Sequence, residues 1–238
     1  MNYFIRALPI TIALLILPAV SQGQTGKVLP TFDEKLAKPL LVVADLAPGA
    51  YFAKPPKSAK CSQPNVVCID FDPPPFSLIA TVSSSVYGGD VQQKLELITR
   101  GHFGMRDYEK GLNTVLVMIK TDGQNFIMPR YAKKNLVRNK KDDLVMLIFS
   151  SDPISWLPCS VSDLKEEIFS DEFESSLEIP EHEFGAYRVE KFPEYFHRTA
   201  TGAIPRYAIA ISKLGAHLNH LNPMNAQMSC VDNQMAVK

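Results

Sequence analysis

The residues most suited to a specific chemical role lie in a basic run at positions 130–141. The run carries six positive charges and no acidic residue: Arg130, Lys133, Lys134, Arg138, Lys140 and Lys141. Tyr131 lies inside the run, and its ring offers a face for stacking on a sugar or a base. Clustered charge of one sign attracts partners of the opposite sign. We therefore predict contact with an acidic protein or an anionic envelope polymer through Arg130, Tyr131, Lys133, Lys134 and Arg138. The alternative is a run that only keeps a loop in water.

An acidic stretch follows at positions 163–183. It holds nine acidic side chains and a single basic one, Lys165. The basic run and this stretch could neutralise each other, either within one fold or between subunits. Over the whole chain, Lys and Arg number 25, as do Asp and Glu, so the formal net charge is zero. This balance gives no reason to expect binding to nucleic acid.

A histidine pair is the second candidate site. His217 and His220 are three residues apart, which places them close together on a helix and is compatible with metal binding. A metallopeptidase helix carries a glutamate between its histidines to activate water. Here Leu218 follows the first histidine, so a metal-assisted hydrolase would need Glu181 or Glu183 brought near by folding. The other interpretation is two polar residues beside an apolar stripe.

Other catalytic signatures are missing from the sequence. It has no G-x-S-x-G elbow, no phosphate-binding loop and no dinucleotide fingerprint. No two cysteines have the close spacing of a structural zinc site. The sequence therefore predicts no cofactor, no metal and no catalytic residue outside the histidine alternative.

The beginning of the chain has the pattern of an export signal. A short basic start (1–6) precedes an apolar stretch (7–20), and Ser21 and Gly23 offer small residues for cleavage after either one. The apolar stretch is shorter than the roughly 20 residues that span a membrane. We expect a periplasmic or secreted protein with no membrane span after cleavage, the alternative being a retained anchor.

The cysteines fit an exported protein. There are four, Cys61, Cys68, Cys159 and Cys230, and an even number favours two disulfides in an oxidising compartment. We expect Cys68–Cys159 with Cys61–Cys230, since Cys68 precedes and Cys159 follows a strand-rich middle. The sequence does not exclude the other pairings, including the local pair Cys61–Cys68.

The elements that would position these residues follow from the apolar periodicity. After the signal (1–23), residues 24–60 form a proline-rich lead-in with one strand candidate at 39–44. Period-two patterns then predict strands at 76–86, 91–97, 114–120, 124–128 and 144–149. Gly88-Gly89-Asp90 predicts a turn, and Asp122-Gly123 predicts a type I′ hairpin. Residues 61–160 are therefore predicted to form a small antiparallel five-stranded barrel.

Beyond Cys159 the apolar spacing becomes helical. Ser160 is a candidate N-cap for a helix with Val161, Leu164 and Ile168 on one face. A second helical pattern from Pro205 comprises Tyr207, Ile211, Leu214, Leu218 and Leu221, although 207–211 could instead be a strand. The predicted class is thus α+β, with a helical and acidic region (161–238) packed on the barrel.

In the central block, about residues 68–159, Cys68 precedes a long predicted strand, a predicted hairpin covers 116–128, and a late cysteine ends the segment Trp156-Leu157-Pro158-Cys159. In this order the block resembles the netrin-like modules of the OB-fold class, the group that includes tissue inhibitors of metalloproteinases. Those inhibitors begin with a cysteine that chelates the protease metal, whereas this chain would begin near Gln22 or Gln24 after cleavage. The resemblance therefore implies an OB-like barrel and a binding module, without metalloproteinase inhibition. Together with the charge pattern, it predicts a non-catalytic binding protein.

Overall fold

The computed structural model describes residues 27–54, 73–150, 161–173 and 176–221. The predicted signal, the four cysteines and both predicted disulfides lie outside these ranges. The described residues form a mixed α+β structure, made mostly of strands with a few short helices. None of the helices in these ranges has the length and apolar character needed to cross a membrane.

Five strands close on each other in a ring. They are β1 (Lys38–Tyr51), β2 (Phe76–Tyr87), β3 (Lys94–Thr99), β4 (Leu112–Thr121) and β5 (Phe126–Ile127). The pairing order is β1-β2-β3-β5-β4, and β4 pairs again with β1. The pairing of β3 with β5 is parallel, and the other pairings in the ring are antiparallel. A further strand, β6 (Lys133–Asn135), pairs with β4 and completes a six-stranded sheet.

Strand β1 separates two hydrophobic cores, one on each of its faces. Leu40, Val42 and Ala44 face the inside of the ring, where they pack with Leu78, Leu97 and Val117. Leu41 and Val43 face the other way, into a second core shared with Leu116 and Met146. Successive side chains of a strand point to opposite faces, so an unbroken apolar run serves both cores.

A second layer covers the outer face of the ring. Its elements are β7 (Val137–Arg138), β8 (Leu144–Ile148), β9 (Glu166–Glu167), β10 (Ile179–Pro180), α1 (Phe184–Tyr187), β11 (Phe196–Arg198), β12 (Gly202–Pro205), β13 (Tyr207–Ala210) and α2 (Ile211–Leu221). They form a four-stranded sheet in the order β7-β8-β13-β9 and a three-stranded sheet in the order β10-β12-β11. Leu214 and Leu218 of α2 are fully buried in the second core. Asn219 Nδ2 also donates to the carbonyl oxygen of Val86 at 3.2 Å, which fastens the helix to β2.

The structure corrects the predicted membership of the barrel. The strand predicted at 144–149 is present as β8, but it pairs with β7 and β13 in the second layer. The fifth member of the ring is β1, which contains the 39–44 candidate placed in the lead-in. The reason is burial on both faces, which removes the period-two signal from β1.

Three local predictions are also revised. The helix predicted from Ser160 is absent where the structure describes this stretch: a 3-10 turn (Ser162–Leu164) and β9 replace it, since β9 pairs with β13. At 207–211 the strand alternative is correct for β13, and the helix begins at Ile211. The 122–125 turn is not type I′, because Gly123 has a positive φ (94°) and Asp122 does not. Instead, the Asp122 carboxylate accepts the backbone N–H groups of Gln124 and Asn125 at 2.9 and 2.7 Å.

Candidate functional site

The basic run is divided between the two layers. Arg130 and Tyr131 form the turn after β5, Lys133 and Lys134 lie on β6, and Arg138 lies on β7. Leu136 separates the two strands; it is buried, and its N–H donates to the Thr114 carbonyl oxygen at 3.0 Å. The predicted site is therefore not one loop. The turn and β6 bring Arg130, Tyr131, Lys133 and Lys134 onto one segment of the ring, and Arg138 belongs to the other layer.

Tyr131 is presented at the surface by an unusual backbone conformation. Its φ is 62°, in the left-handed region that residues other than glycine rarely adopt. The turn is fixed by two hydrogen bonds, from Ala132 N to Pro129 O at 3.1 Å and from Lys133 N to Tyr131 O at 2.8 Å. The side chain remains 59% exposed, and the Arg130 guanidinium carbon lies 5.8 Å from its ring centroid. The turn thus offers an aromatic ring beside a cation.

Lys133 is held in place by an aromatic contact. Its Nζ lies 4.2 Å from the ring centroid of Tyr108, which is almost fully buried. Burial lowers the pKa of Lys133, and the nearby Asp107 carboxylate opposes that effect. Burial, helped by the charges of Asp107 and Tyr131, raises the pKa of Tyr108 to about 12. Tyr108 therefore stays neutral at physiological pH and serves as a fixed platform for the lysine.

The charge of Arg138 is compensated locally. Its guanidinium contacts the Asp142 carboxylate at 3.0 Å and also donates to the Asp142 carbonyl oxygen. Both residues line a cleft of about 470 Å³ between the β7–β8 turn and α2. Arg138 therefore contributes less free positive charge than its place in the sequence suggests.

The acidic stretch finds partners in the C-terminal part of the chain. Glu167 accepts from Arg206 Nε at 2.7 Å, with His197 Nε2 at 3.8 Å. Glu166 pairs with Lys213 of α2. Hydrogen bonds from the Thr199 and Thr201 hydroxyls lower the pKa of Glu178, so its carboxylate stays ionised. These contacts connect segments of the second layer, and they give three of the nine acidic side chains a structural role.

The second-layer core and β6 leave a cleft between them that no sequence pattern had indicated. Its volume of about 540 Å³ falls in the range of ligand-binding sites. Its lining includes three residues of β6 and residues 176–179, and its apolar part, which we call the floor, comprises Met146, Phe149 and Ile179. Glu183 also lines it. The lining comes from segments about 40 residues apart, so local periodicity could not have revealed the cleft.

The histidine pair lies on α2, where His217 is half-buried and His220 is exposed. Glu183 lines the β6 cleft, whereas α2 lines the other cleft, beside Arg138. Within the described ranges, no cluster of three or more metal-binding side chains occurs. Among the described residues, neither Glu181 nor Glu183 therefore forms a metal-binding cluster with the pair.

The chain was also compared with known proteins. No family model, no curated protein and no solved structure matches it. The function of the chain is therefore inferred from its own sequence and geometry.

Proposed function

We propose that the ring of five strands is an OB-like barrel and that the chain is an exported binding protein without catalytic activity. The ring order, the parallel β3–β5 pairing and the closing β1–β4 pairing support the barrel. OB-fold barrels serve mainly to bind extended ligands. Export, the two disulfides and the netrin-like relationship remain parts of this proposal that depend on the sequence.

The proposed partner is an acidic protein, bound by the turn and β6 through Arg130, Tyr131, Lys133 and Lys134. The observation that supports this best is the presentation of Tyr131 beside Arg130, with most of the ring exposed on a turn of fixed geometry. Tyrosine and arginine are among the residues that contribute most to protein interfaces. Lys133 adds a cation already immobilised on Tyr108, so less side-chain entropy is lost on binding.

The test compares two variants that each remove two positive charges from the basic run. Arg130→Ser/Lys134→Ser alters the proposed surface, and Lys140→Ser/Lys141→Ser is the matched control on the β7–β8 turn. Binding to immobilised poly-glutamate is measured at several salt concentrations. We expect the first variant to bind about threefold to thirtyfold more weakly, given ~0.3–1 kcal/mol for each of the two exposed charges. The control should stay close to wild type.

Equal weakening by both variants would show a general charge effect and would reject the surface. A third variant, Tyr131→Ala, leaves the charge unchanged and should also weaken binding. Dextran sulfate serves as the second probe. Stronger retention of this polymer than of poly-glutamate would favour an anionic glycan over an acidic protein.

A further inference from the structure

The backbone N–H and C=O groups of successive residues in β6 point alternately toward β4 and toward the outer edge of the strand. The N–H of Met118 donates to the Ala132 carbonyl and the N–H of Leu136 donates to the Thr114 carbonyl, both at 3.0 Å. Hydrogen-bonded and non-hydrogen-bonded pairs alternate along an antiparallel ladder. Between these two bonds, Lys134 is paired with Leu116 and directs its backbone groups at β4. The N–H and C=O of Asn135 therefore point away from β4, along the outer edge of the strand.

That outer edge forms a wall of the 540 Å³ cleft. Three consecutive residues of β6 line the cleft, together with four consecutive residues, 176–179. Because successive side chains in a strand point to opposite faces, consecutive residues can share one wall only along the backbone edge. The cleft therefore opens along the backbone edge of β6.

The size of the cleft suits one short extended segment. A residue in a sheet occupies ~160 Å³, from a rise of about 3.3 Å, a strand spacing of about 4.8 Å and a sheet spacing of about 10 Å. A cleft of about 540 Å³ then accommodates about three residues. This matches the length of β6.

The two faces of β6 define which side chains such a segment would carry. Leu116, opposite Lys134, belongs to the same core as Met146 and Ile179, which line the cleft floor. Val115 and Val117, opposite Asn135 and Lys133, belong to the core inside the ring. A residue paired with Asn135 would therefore point to the side of Lys133, and its two neighbours would point to the apolar floor.

We propose that the partner docks by antiparallel strand addition: an extended apolar–acidic–apolar triplet pairs along the edge of β6, with its acidic residue directly opposite Asn135. The acidic side chain lies beside the Lys133 ammonium, and the two apolar side chains contact the floor formed by Met146, Phe149 and Ile179. The acidic character of the partner rests on the proposed function. The strand pairing rests on the backbone of β6 alone.

The test uses Asn135→Pro, with Asn135→Ala as its control. Proline removes the outward N–H and leaves the bonds to β4 intact, and an edge strand tolerates it for that reason. The probe is a terminally blocked Gly-Leu-Glu-Leu-Gly peptide, titrated by NMR into the full chain. We expect the backbone amide of Asn135 to shift in wild type. Affinity should fall about tenfold or more in Asn135→Pro and change less than about twofold in Asn135→Ala.

A second probe does not depend on how the variant folds. A peptide methylated on its glutamate nitrogen loses the N–H that would donate to the Asn135 carbonyl, and it should bind wild type about tenfold more weakly. Equal binding of both peptides, equal binding by Asn135→Pro, or no shift up to millimolar peptide would each overturn strand addition. Equal binding of a Leu-Lys-Leu peptide would overturn the acidic preference.

The two proposals can fail separately. Poly-glutamate binding through Arg130 and Lys134 should survive in Asn135→Pro, because it needs no strand pairing. If strand addition is wrong, this binding persists while the peptide results above are negative. If the charged surface is wrong, the two serine variants behave alike while the peptide still responds to Asn135→Pro.

Discussion

Closure of the ring depends on a short contact that a single substitution can test. The parallel pairing of β3 with β5 involves only Leu97↔Phe126 and Ile98↔Ile127. Two hydrogen bonds extend it: Met128 N donates to Ile98 O at 2.9 Å, and Thr99 Oγ1 donates to Met128 O at 2.9 Å. Thr99 is 3% exposed, so water cannot easily replace its hydroxyl.

Thr99→Val keeps the shape of the side chain and removes the donor. A buried acceptor that loses its partner costs about 1–3 kcal/mol. The methyl group that replaces the hydroxyl stabilises the folded state by up to about 0.8 kcal/mol, because it is apolar and buried. The two contributions oppose each other, so we expect a net loss in the free energy of unfolding of about 0.2–2 kcal/mol. With a urea slope of roughly 2 kcal/mol/M, the unfolding midpoint should fall by about 0.1–1 M.

The matched control is Thr81→Val on β2, because Thr81 is exposed on the same sheet. Its free energy of unfolding should change by no more than about 0.5 kcal/mol. Hydrogen exchange should also locate the defect: the Met128 amide should lose protection in Thr99→Val and keep it in Thr81→Val. Equal midpoints for the two variants would refute the argument that this hydrogen bond helps to close the ring.

Two further predictions concern local backbone contacts. The backbone N–H groups bound by Asp122 lower its pKa from 3.8 to about 2, so its contribution to stability is present above pH 3.8 and is lost as the pH falls toward 2. Asp122→Ala should therefore show a shallower fall in Tm over this acid range than wild type. Gly202→Ala should destabilise the β10–β12 pairing, because a β-carbon there would overlap the Ile179 carbonyl oxygen. Gly185→Ala, which meets no neighbouring atom in the described part of the chain, should leave the urea midpoint unchanged or raise it.

Apolar periodicity identified the strand segments, but it did not identify which strands pair with one another. The segments predicted at 76–86, 91–97, 114–120 and 124–128 overlap β2, β3, β4 and β5. Each of these predictions needed only local information. The membership of β1 in the ring did not follow from the pattern, because an apolar run buried on both faces resembles any other apolar segment.

The helix predicted after Ser160 is a different kind of error, because the apolar spacing is helical but the segment does not form a helix. Val161, Leu164 and Ile168 have helical spacing, and Val161 and Ile168 are indeed buried. Their burial comes from a different conformation, in which Glu166 and Glu167 pair with β13 and Ile168 N donates to the Arg206 carbonyl at 2.9 Å. The hydrogen bonds that decided the outcome come from residues about 40 positions away. A local pattern contains no information about them.

The same limit explains why charge alone is a poor guide to the site. The sequence shows one run of positive charge, but the chain changes sheets at Leu136, and that change depends on Thr114 on one side and Val145 on the other. Arg138 is then compensated by Asp142, and Lys133 is immobilised on Tyr108. In the proposed function, charge identifies the segment and would attract a partner, whereas the backbone edge at Asn135 and the exposed Tyr131 ring would determine which partner fits. Specificity in this proposal comes from features of the fold that charge counting does not measure.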